Sequence, residues 1–298
     1  MSRKRIRNAK TDKIDSKTIC KFLFQEEYRL LEQHELSVLE LRGICRFRQS
    51  LKKQNARLKV QLVSYLDVVF PEYHTLFSSV HGKGSYAVLN EFPSPAAISK
   101  VNITKLENIL KSASRGHFGR AKAEELKELA KKSIGSKSND KGFQIAHTIA
   151  HIRLIESQLE DTQIHLKKLW DNADTVLKTI PGIGVIDGVM IYSEIGDISR
   201  FTRPDQLIAF AGLDPTTRQS GNFRAQSTRM SKRGSPFLRY ALVSAAWNVS
   251  MNNPTFGEYY NRKLSEKGRH YKALGHVAGK LCRVIFTMLK NNIKFDLP

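Results

Sequence analysis

Acidic residues are scarce in this chain, and along one stretch they are missing. From Pro215 to Gly257 there is no Asp or Glu. Over 298 residues, 28 acids face 49 lysines and arginines, a net charge of +21. That imbalance is more than solubility alone requires. It suits a polyanion, and nucleic acid rewards it through counterion release. Cysteine is also rare. Cys20, Cys45 and Cys282 are far apart and odd in number, which excludes a disulfide framework and a thiolate zinc site and fits a reducing cytoplasm. No apolar run approaches the roughly 18 residues a membrane span needs. The basic start, Met1 to Lys10, has no apolar stretch after it, so it is not a secretory signal. A hydrophobic content of 41% excludes wholesale disorder. What is left is a cytoplasmic, membrane-free protein with cores of its own and DNA or RNA as the expected partner.

The acid-free window holds Arg218, Arg224, Arg229, Lys232, Arg233 and Arg239 around the sequence Arg218-Gln219-Ser220-Gly221. Guanidinium forks pair with phosphate oxygens, and no nearby carboxylate competes for them. Arg218, Arg224, Arg229, Lys232 and Arg233 are therefore the candidate phosphate contacts. Ser220 is the candidate nucleophile. A serine hydroxyl attacks weakly unless its setting helps, and cations around it polarise a phosphodiester and stabilise its charged transition state. The bland reading is a Ser-Gly turn in a basic loop.

The spacing predicts a mainly α chain. Asp12 to Leu31 reads as one helix, with Thr11 or Asp12 at its cap. A longer amphipathic helix follows from Gln33 to Phe70, with Leu36, Leu39, Ile44, Phe47, Leu51, Leu58, Leu62 and Leu66 on its apolar side; Pro71 ends it. Glycines and prolines break residues 73–140 into short helices, one over Ala121–Ser133, and Ser133 to Gly142 reads as a hinge. A second long helix runs from Phe143 to Ala173, with Ile145, Ile149, Ile152, Ile155, Ile164 and Leu166 inward. Two long helices flanking an insert predict an antiparallel coiled-coil arm, formed within one chain or shared between protomers. The arm is either a dimerisation and nucleic-acid-spanning device or the core of a helical bundle.

After Asp174 the punctuation changes. Ile180-Pro181-Gly182-Ile183-Gly184 follows one apolar segment and leads into another, Val185 to Ile195. Helix, glycine turn, helix is the pattern of a helix-hairpin-helix, whose glycines, Gly182 and Gly184, let the backbone approach a phosphate. The same sequence also makes an ordinary tight interhelical turn. Residues 216–235 read as a hairpin or irregular loop, and helices follow over 236–249, 256–263 and 271–291. Asp12 and Asp15 share one helix face and are candidates to hold Mg²⁺, although on spacing alone the stronger reading is structural, a cap and a first-turn acid. His147 and His151 have metal-ligand spacing without the glutamate zinc peptidases use, and read as surface residues. Trp170 and Trp247 read as core.

Four runs in order resemble one family. They are Arg7-Asn8-Ala9-Lys10-Thr11-Asp12-Lys13-Ile14-Asp15, Phe70-Pro71-Glu72-Tyr73, the Ile180–Gly184 turn with Glu194-Ile195-Gly196-Asp197, and Ala211-Gly212-Leu213-Asp214-Pro215 leading to Gln219-Ser220-Gly221 and Ser231-Lys232-Arg233-Gly234. The chain resembles transposases of the insertion-sequence one-ten family, which includes the Piv-type DNA invertases. The resemblance implies an RNase H/RuvC-like domain with a DEDD metal tetrad, a coiled-coil arm, and a C-terminal transposase domain with a serine nucleophile. It matches Asp12 and Asp15 to the last two acids of the tetrad and Ser220 to the serine. It also implies Mg²⁺, DNA, a homo-oligomer (dimer or tetramer) with a composite site, and in some members a structured guide RNA. The expected domains are 1–32, a remnant of the RuvC-like domain; 33–173, the arm with its insert; and 174–298, the transposase domain with a small β or loop element. Only eleven residues precede Asp12, so the first two acids of the tetrad are expected to be missing. The functional expectation is a DNA recombinase working through Ser220; the alternative is a non-catalytic DNA- or RNA-binding remnant that competes with full-length copies.

Overall fold

Leucine and isoleucine at three- and four-residue steps build two long helices, and the other described elements are arranged at their two ends. The computed structural model describes residues 33–136, 139–216, 219–220, 223–224 and 229–296, and single positions 12, 16, 17, 20 and 24. Those five positions are helical and exposed. The remainder of the predicted helix 12–31, and with it most of segment 1–32 and Asp15, lies outside the described residues.

Helix α1 is Gln33–Val69 and α6 is Asn139–Asn172. They run antiparallel, because ascending positions on one meet descending positions on the other. Arg48 reaches Gln163 at 3.4 Å, Lys59 pairs with Glu156 at 2.7 Å, and Lys141 lies 4.8 Å from the Tyr65 ring centre. At 1.5 Å per residue the arm is about 50 Å long. Its seam buries Leu51, Leu62, Leu66, Ile145, Ile149, Ile152 and Ile155. The stripe read from the sequence is wider than this seam. Leu36, Leu39, Phe47 and Ile164 face out, 41–53% exposed, because a two-helix contact covers a narrower arc than a globular core does.

At the far end sits an insert of short helices: a 3₁₀ turn Pro71–Thr75, α2 Lys83–Glu91, α3 Pro95–Lys100, α4 Ile103–Ala113 and α5 Arg120–Lys132. Its core includes Phe70, Tyr73, Leu89, Ile98, Leu106, Leu110 and Leu126 and continues into Ile145 and Ile149 of α6. The Phe-Pro-Glu-Tyr run closes this unit. Tyr73 is fully buried, with its hydroxyl bonded to Ser85, and the Glu72 carboxylate accepts from Ser133 Oγ and the Ile134 amide at 2.7 and 3.0 Å. The predicted hinge over Ser133–Gly142 is shorter than expected, since α6 begins at Asn139. Gly142 is a buried helical residue beside Pro93, where an added Cβ would make an ordinary 3.5 Å contact, so this glycine does not break the helix.

The near end of the arm belongs to the C-terminal core. Leu41 and Cys45 of α1 and Leu166 and Trp170 of α6 pack with α7 Val185–Ile195, α8 Pro204–Ala211, α9 Pro236–Asn252, α10 Pro254–Lys267 and α11 His270–Asn291. No core boundary follows the chain position between 173 and 174. α9 is central. It lies antiparallel to α7, since Ser244 bonds Asp187 while Ser235, just before α9, bonds Glu194. Between α8 and α9 the chain forms a hairpin, with β1 Gln219–Ser220 paired to β2 Phe223–Arg224 and a bridge from Pro215 to Met230 nearer the root. The chain is mainly helical, and no helix among the described residues is long and apolar enough to cross a membrane.

Candidate nucleic-acid interface

The acid-free window folds as the hairpin and helix α9. Gln219 pairs with Arg224 and Ser220 with Phe223, so Ser220 stands next to the turn at the hairpin's tip. The root is fixed by backbone bonds: Thr216 N to Arg229 O at 2.7 Å, Ser231 N to Asp214 O at 2.7 Å, and Lys232 N to Gly212 O at 3.1 Å. Ser231 Oγ also donates to the Asp214 carboxylate. The return strand crosses the end of α8 at very close range. A Cβ on Gly234 would sit 2.0 Å from the Phe210 carbonyl oxygen, and one on Gly212 would sit 2.8 Å from Gly234 N. Hence the glycines of Ala211-Gly212-Leu213 and Lys232-Arg233-Gly234: they let two backbones touch.

Arg229, Lys232 and Arg233 are exposed at this root. Lys232 has φ of +55°, a left-handed conformation that costs a residue with a Cβ about 1–2 kcal/mol. Lys232→Gly is therefore expected to be more stable than Lys232→Ala by about 0.5–1 kcal/mol, the reverse of the usual order. Urea denaturation of the two variants checks this; equal midpoints would deny the strain. Arg239 is occupied elsewhere, donating to the Ala211 carbonyl at 3.1 Å. Arg218 and the side chains of Ser220 and Arg224 lie outside the described residues.

The glycine turn is at the other end of the α7/α9 pair. Gly182 has φ of +89° and presses on α9, where an added Cβ would lie 2.6 Å from the Asn248 carbonyl. Its glycine thus has a packing cause. Gly184 begins α7 and faces open space. The element before the turn is not the expected α-helix. It is a 3₁₀ turn, Val176–Thr179, capped by Thr175, because only a few residues separate the end of α6 from Pro181. From Ser235 to Asn248, α9 rises about 20 Å. The sequence groups Gly182 and Gly184 with Lys232 and Arg233, and the fold sets them that far apart. Gly184→Val is expected to leave the melting temperature unchanged and weaken duplex affinity several-fold if this turn contacts phosphate; unchanged affinity in a filter-binding titration would remove the turn from the interface.

The fold also brings in residues of the arm that nothing in their local sequence marks as part of a site. Arg46 forks onto Glu194 at 2.7 and 3.1 Å, and Glu194 also accepts from Ser235 Oγ at 2.8 Å. Glu194 is 1% exposed. One carboxylate so ties α1, α7 and the start of α9 together. Arg42 donates to the Ser193 carbonyl at 2.8 Å. Lys52 donates to Tyr240 Oη at 3.3 Å, and Lys53 lies 5.8 Å from the Phe237 ring centre. With Arg46 paired to Glu194, Lys52 and Lys53, both exposed, extend the cationic surface of the hairpin root onto the arm. The sequence signal for Glu194 is an acid at the end of a largely apolar helix whose other acid, Asp187, lies in the first turn; nothing local points to Arg46 as its partner.

Asp187, in the first turn of α7, accepts from Ser244 at 2.8 Å. Burial raises its pKa above the usual carboxylate value, against the lowering effects of Ser244, Lys52 and Arg48. A carboxyl whose folded pKa is raised favours the folded state most when protonated, and that contribution falls as pH climbs from the unfolded pKa through the folded one. Asp187→Asn should therefore raise the melting temperature at pH 7 relative to wild type and lose that advantage on acidification. A pH series of thermal melts checks this; a lower melting temperature at neutral pH would contradict it.

Asp12 is helical and exposed, and no three His, Cys, Asp or Glu side chains come together among the described residues in a way that would hold a metal ion. The described residues therefore do not by themselves make a site for Mg²⁺. His147 and His151 are both exposed on α6. Trp170 is core at 5% exposure, whereas Trp247, also expected inside, is 40% exposed, because its ring lies at the margin of the core, edge-on to Tyr260 and His270.

Comparison with known proteins supplies a frame for this surface. Residues 174–261, which hold the glycine turn, hairpin and α9, match the model described as transposase IS116/IS110/IS902 family. Residues 1–71 match a second transposase model, of the DEDD type. The uncharacterized 44.8 kDa protein of insertion element IS116 from Streptomyces clavuligerus is 24% identical over 96% of this chain and 72% of its own length. The transposase for insertion sequence element IS1111A of Coxiella burnetii is 40% identical over 24% of the chain and 19% of that protein. The pilin gene-inverting protein of Moraxella bovis is 32% identical over 41% of the chain and 38% of that protein. The chain thus spans most of the first relative and well under half of the other two. With transposase models matching both its first residues and the segment that carries the hairpin and its basic root, the chain belongs to the IS110/IS116/IS902 family of transposases.

Proposed function

We propose that this transposase recombines DNA through Ser220, with the basic root of the hairpin as the grip on the strand being exchanged. In the step envisaged, Ser220 Oγ bonds to a backbone phosphorus as the bond from that phosphorus to a sugar oxygen breaks. The serine proton leaves to solvent, and the departing sugar oxygen takes one up. One phosphoester replaces another, so the reverse attack by a different strand end reseals DNA without an energy source. The phosphorane-like transition state carries extra negative charge, which Lys232, Arg233 and Arg229 would stabilise together with Arg218 and Arg224.

The observation that carries this reading is the hairpin register. It puts Ser220 beside the turn, on a ladder whose root carries exposed cations and no free carboxylate: Asp214 is held by Ser231. The same proposal takes Asp12 and Asp15 as metal-binding carboxylates, completed by other acids. A divalent ion there would polarise a phosphoryl oxygen. A homo-oligomer joined through the arm, and a structured guide RNA as a further partner, also belong to this reading; the outward Phe47 and Ile164 and the net charge of +21 support them. The test is a trap. The chain is incubated with DNA carrying element ends and divalent metal, denatured, and analysed by mass spectrometry. A nucleotide adduct on the peptide containing Ser220 is expected; an adduct on another side chain would overturn the assignment.

A further inference from the structure

A second stretch of the chain is free of acids, and the hairpin does not use it. No Asp or Glu lies between Glu266 and Asp296, while seven lysines and arginines do. At its start Arg269, His270, Tyr271 and Lys272 are all exposed. Tyr271 is 80% exposed, and on the neighbouring α9 Trp247 is 40% and Met251 56% exposed. The His270 ring joins the two aromatics, 5.1 Å from Trp247 and 5.0 Å from Tyr271, both edge-on. Its Nδ1 is 2.8 Å from Tyr260 Oη, and Tyr260 packs edge-on against Trp247 at 5.7 Å. The indole is therefore braced from behind and open in front, with Tyr271 outside it.

Large aromatic surface left in water beside cations marks a binding face. Its chemistry selects one kind of occupant. A partner protein that docks by ion pairs onto Arg269 and Lys272 must be acidic, and acidic side chains gain nothing from open indole and phenol rings. Unpaired nucleotides bring both features: flat bases for the rings and phosphates for Arg269 and Lys272. A duplex buries its base faces and meets only the cations. We propose that Tyr271 and Trp247 form a stacking platform for single-stranded nucleic acid. Trp247 adjoins Asn248, whose carbonyl covers Gly182, so the platform is at the glycine-turn end of α9, about 20 Å from the hairpin root. The inference rests on the reading of this chain as a nucleic-acid protein, but not on Ser220 or on the hairpin.

The experiment titrates the full chain with a thymine oligomer of about 20 nucleotides and with a duplex of the same length, at one salt concentration. Trp170 is buried, so quenching of tryptophan emission reports Trp247. The oligomer should quench it, and Tyr271→Ala should weaken oligomer binding roughly tenfold while duplex binding changes less than about twofold. Tyr271 is almost wholly in water, so its replacement leaves the fold intact. Trp247→Phe keeps a ring, and should keep most of the affinity while losing the optical signal. Oligomer binding that is unchanged in Tyr271→Ala overturns the inference. So does equal loss of oligomer and duplex, or a fall in self-association of the variant, which would assign the face to a second copy. Failure of the hairpin reading has a different signature: duplex binding indifferent to Lys232→Ala and Arg233→Ala.

Discussion

Ser220→Ala is expected to abolish the covalent DNA adduct and to lower strand exchange by at least about a thousandfold, because no other group replaces a lost nucleophile. DNA affinity should stay within about threefold of wild type, since one hydroxyl contributes at most a hydrogen bond. Lys232→Ala and Arg233→Ala should show the complementary pattern. Each removes one phosphate contact, weakens binding to all sequences alike, and reduces the salt slope by about one. The two profiles separate chemistry from grip. If Ser220→Ala recombines at the wild-type rate, Ser220 is not the nucleophile. If wild type binds DNA tightly yet forms no adduct with either strand polarity, the chain acts by binding alone.

Arg46→Ala should produce the largest loss of stability among single exposed-to-alanine changes on the arm. Glu194 has 1% of its side-chain surface in water, and Arg46 46%. Removing the guanidinium leaves a buried carboxylate with, among the described residues, the Ser235 hydroxyl as its donor. Breaking a buried pair in this way costs roughly 3–5 kcal/mol, and the half-exposed cation puts this case at about 3. By contrast, losing the Lys131–Glu128 pair, exposed on both sides, should leave the denaturant midpoint nearly unchanged. Adding Glu194→Gln to Arg46→Ala should recover part of the loss, because the stranded charge is gone. Denaturant midpoints of the three variants decide this. If the double variant is no more stable than Arg46→Ala alone, the penalty is lost packing against Phe237, whose ring centre is 4.8 Å from the guanidinium, and not an unpaired charge.

Much of the helical frame is legible in the order of residues alone. The three- and four-residue spacing of Leu58, Leu62 and Leu66 needs only local geometry, and α1 ends where Pro71 demands it. The glycine-bounded helix expected over Val185–Ile195 has those bounds in the structure, because its turn chemistry and its apolar run agree. The hinge expected at 133–142 is shorter than its glycines suggest, and Gly182 has a packing cause that its own sequence does not reveal, for one reason. Glycine punctuates a chain, but whether it breaks a helix, frees a turn or lets a neighbour come close depends on what lies beside it. Gly142 is carried inside α6 with only ordinary contact to Pro93, whereas Gly182 lies against the backbone of α9. Trp247 departs from its expected place because an aromatic in an apolar helix has no sequence mark that tells an inward face from an outward one.

The sequence alone determined the charge, the helices, the family and the presence of Ser220 in an acid-free window, since each is a property of composition or of neighbours along the chain. Only the tertiary structure decided that Arg46 meets a carboxylate 148 positions away, that the glycine turn and the basic hairpin root occupy opposite ends of α9, and that Trp247 and Tyr271 share one open face. Those are relations between residues that no helical period records, and burial, pairing and exposure are set by them.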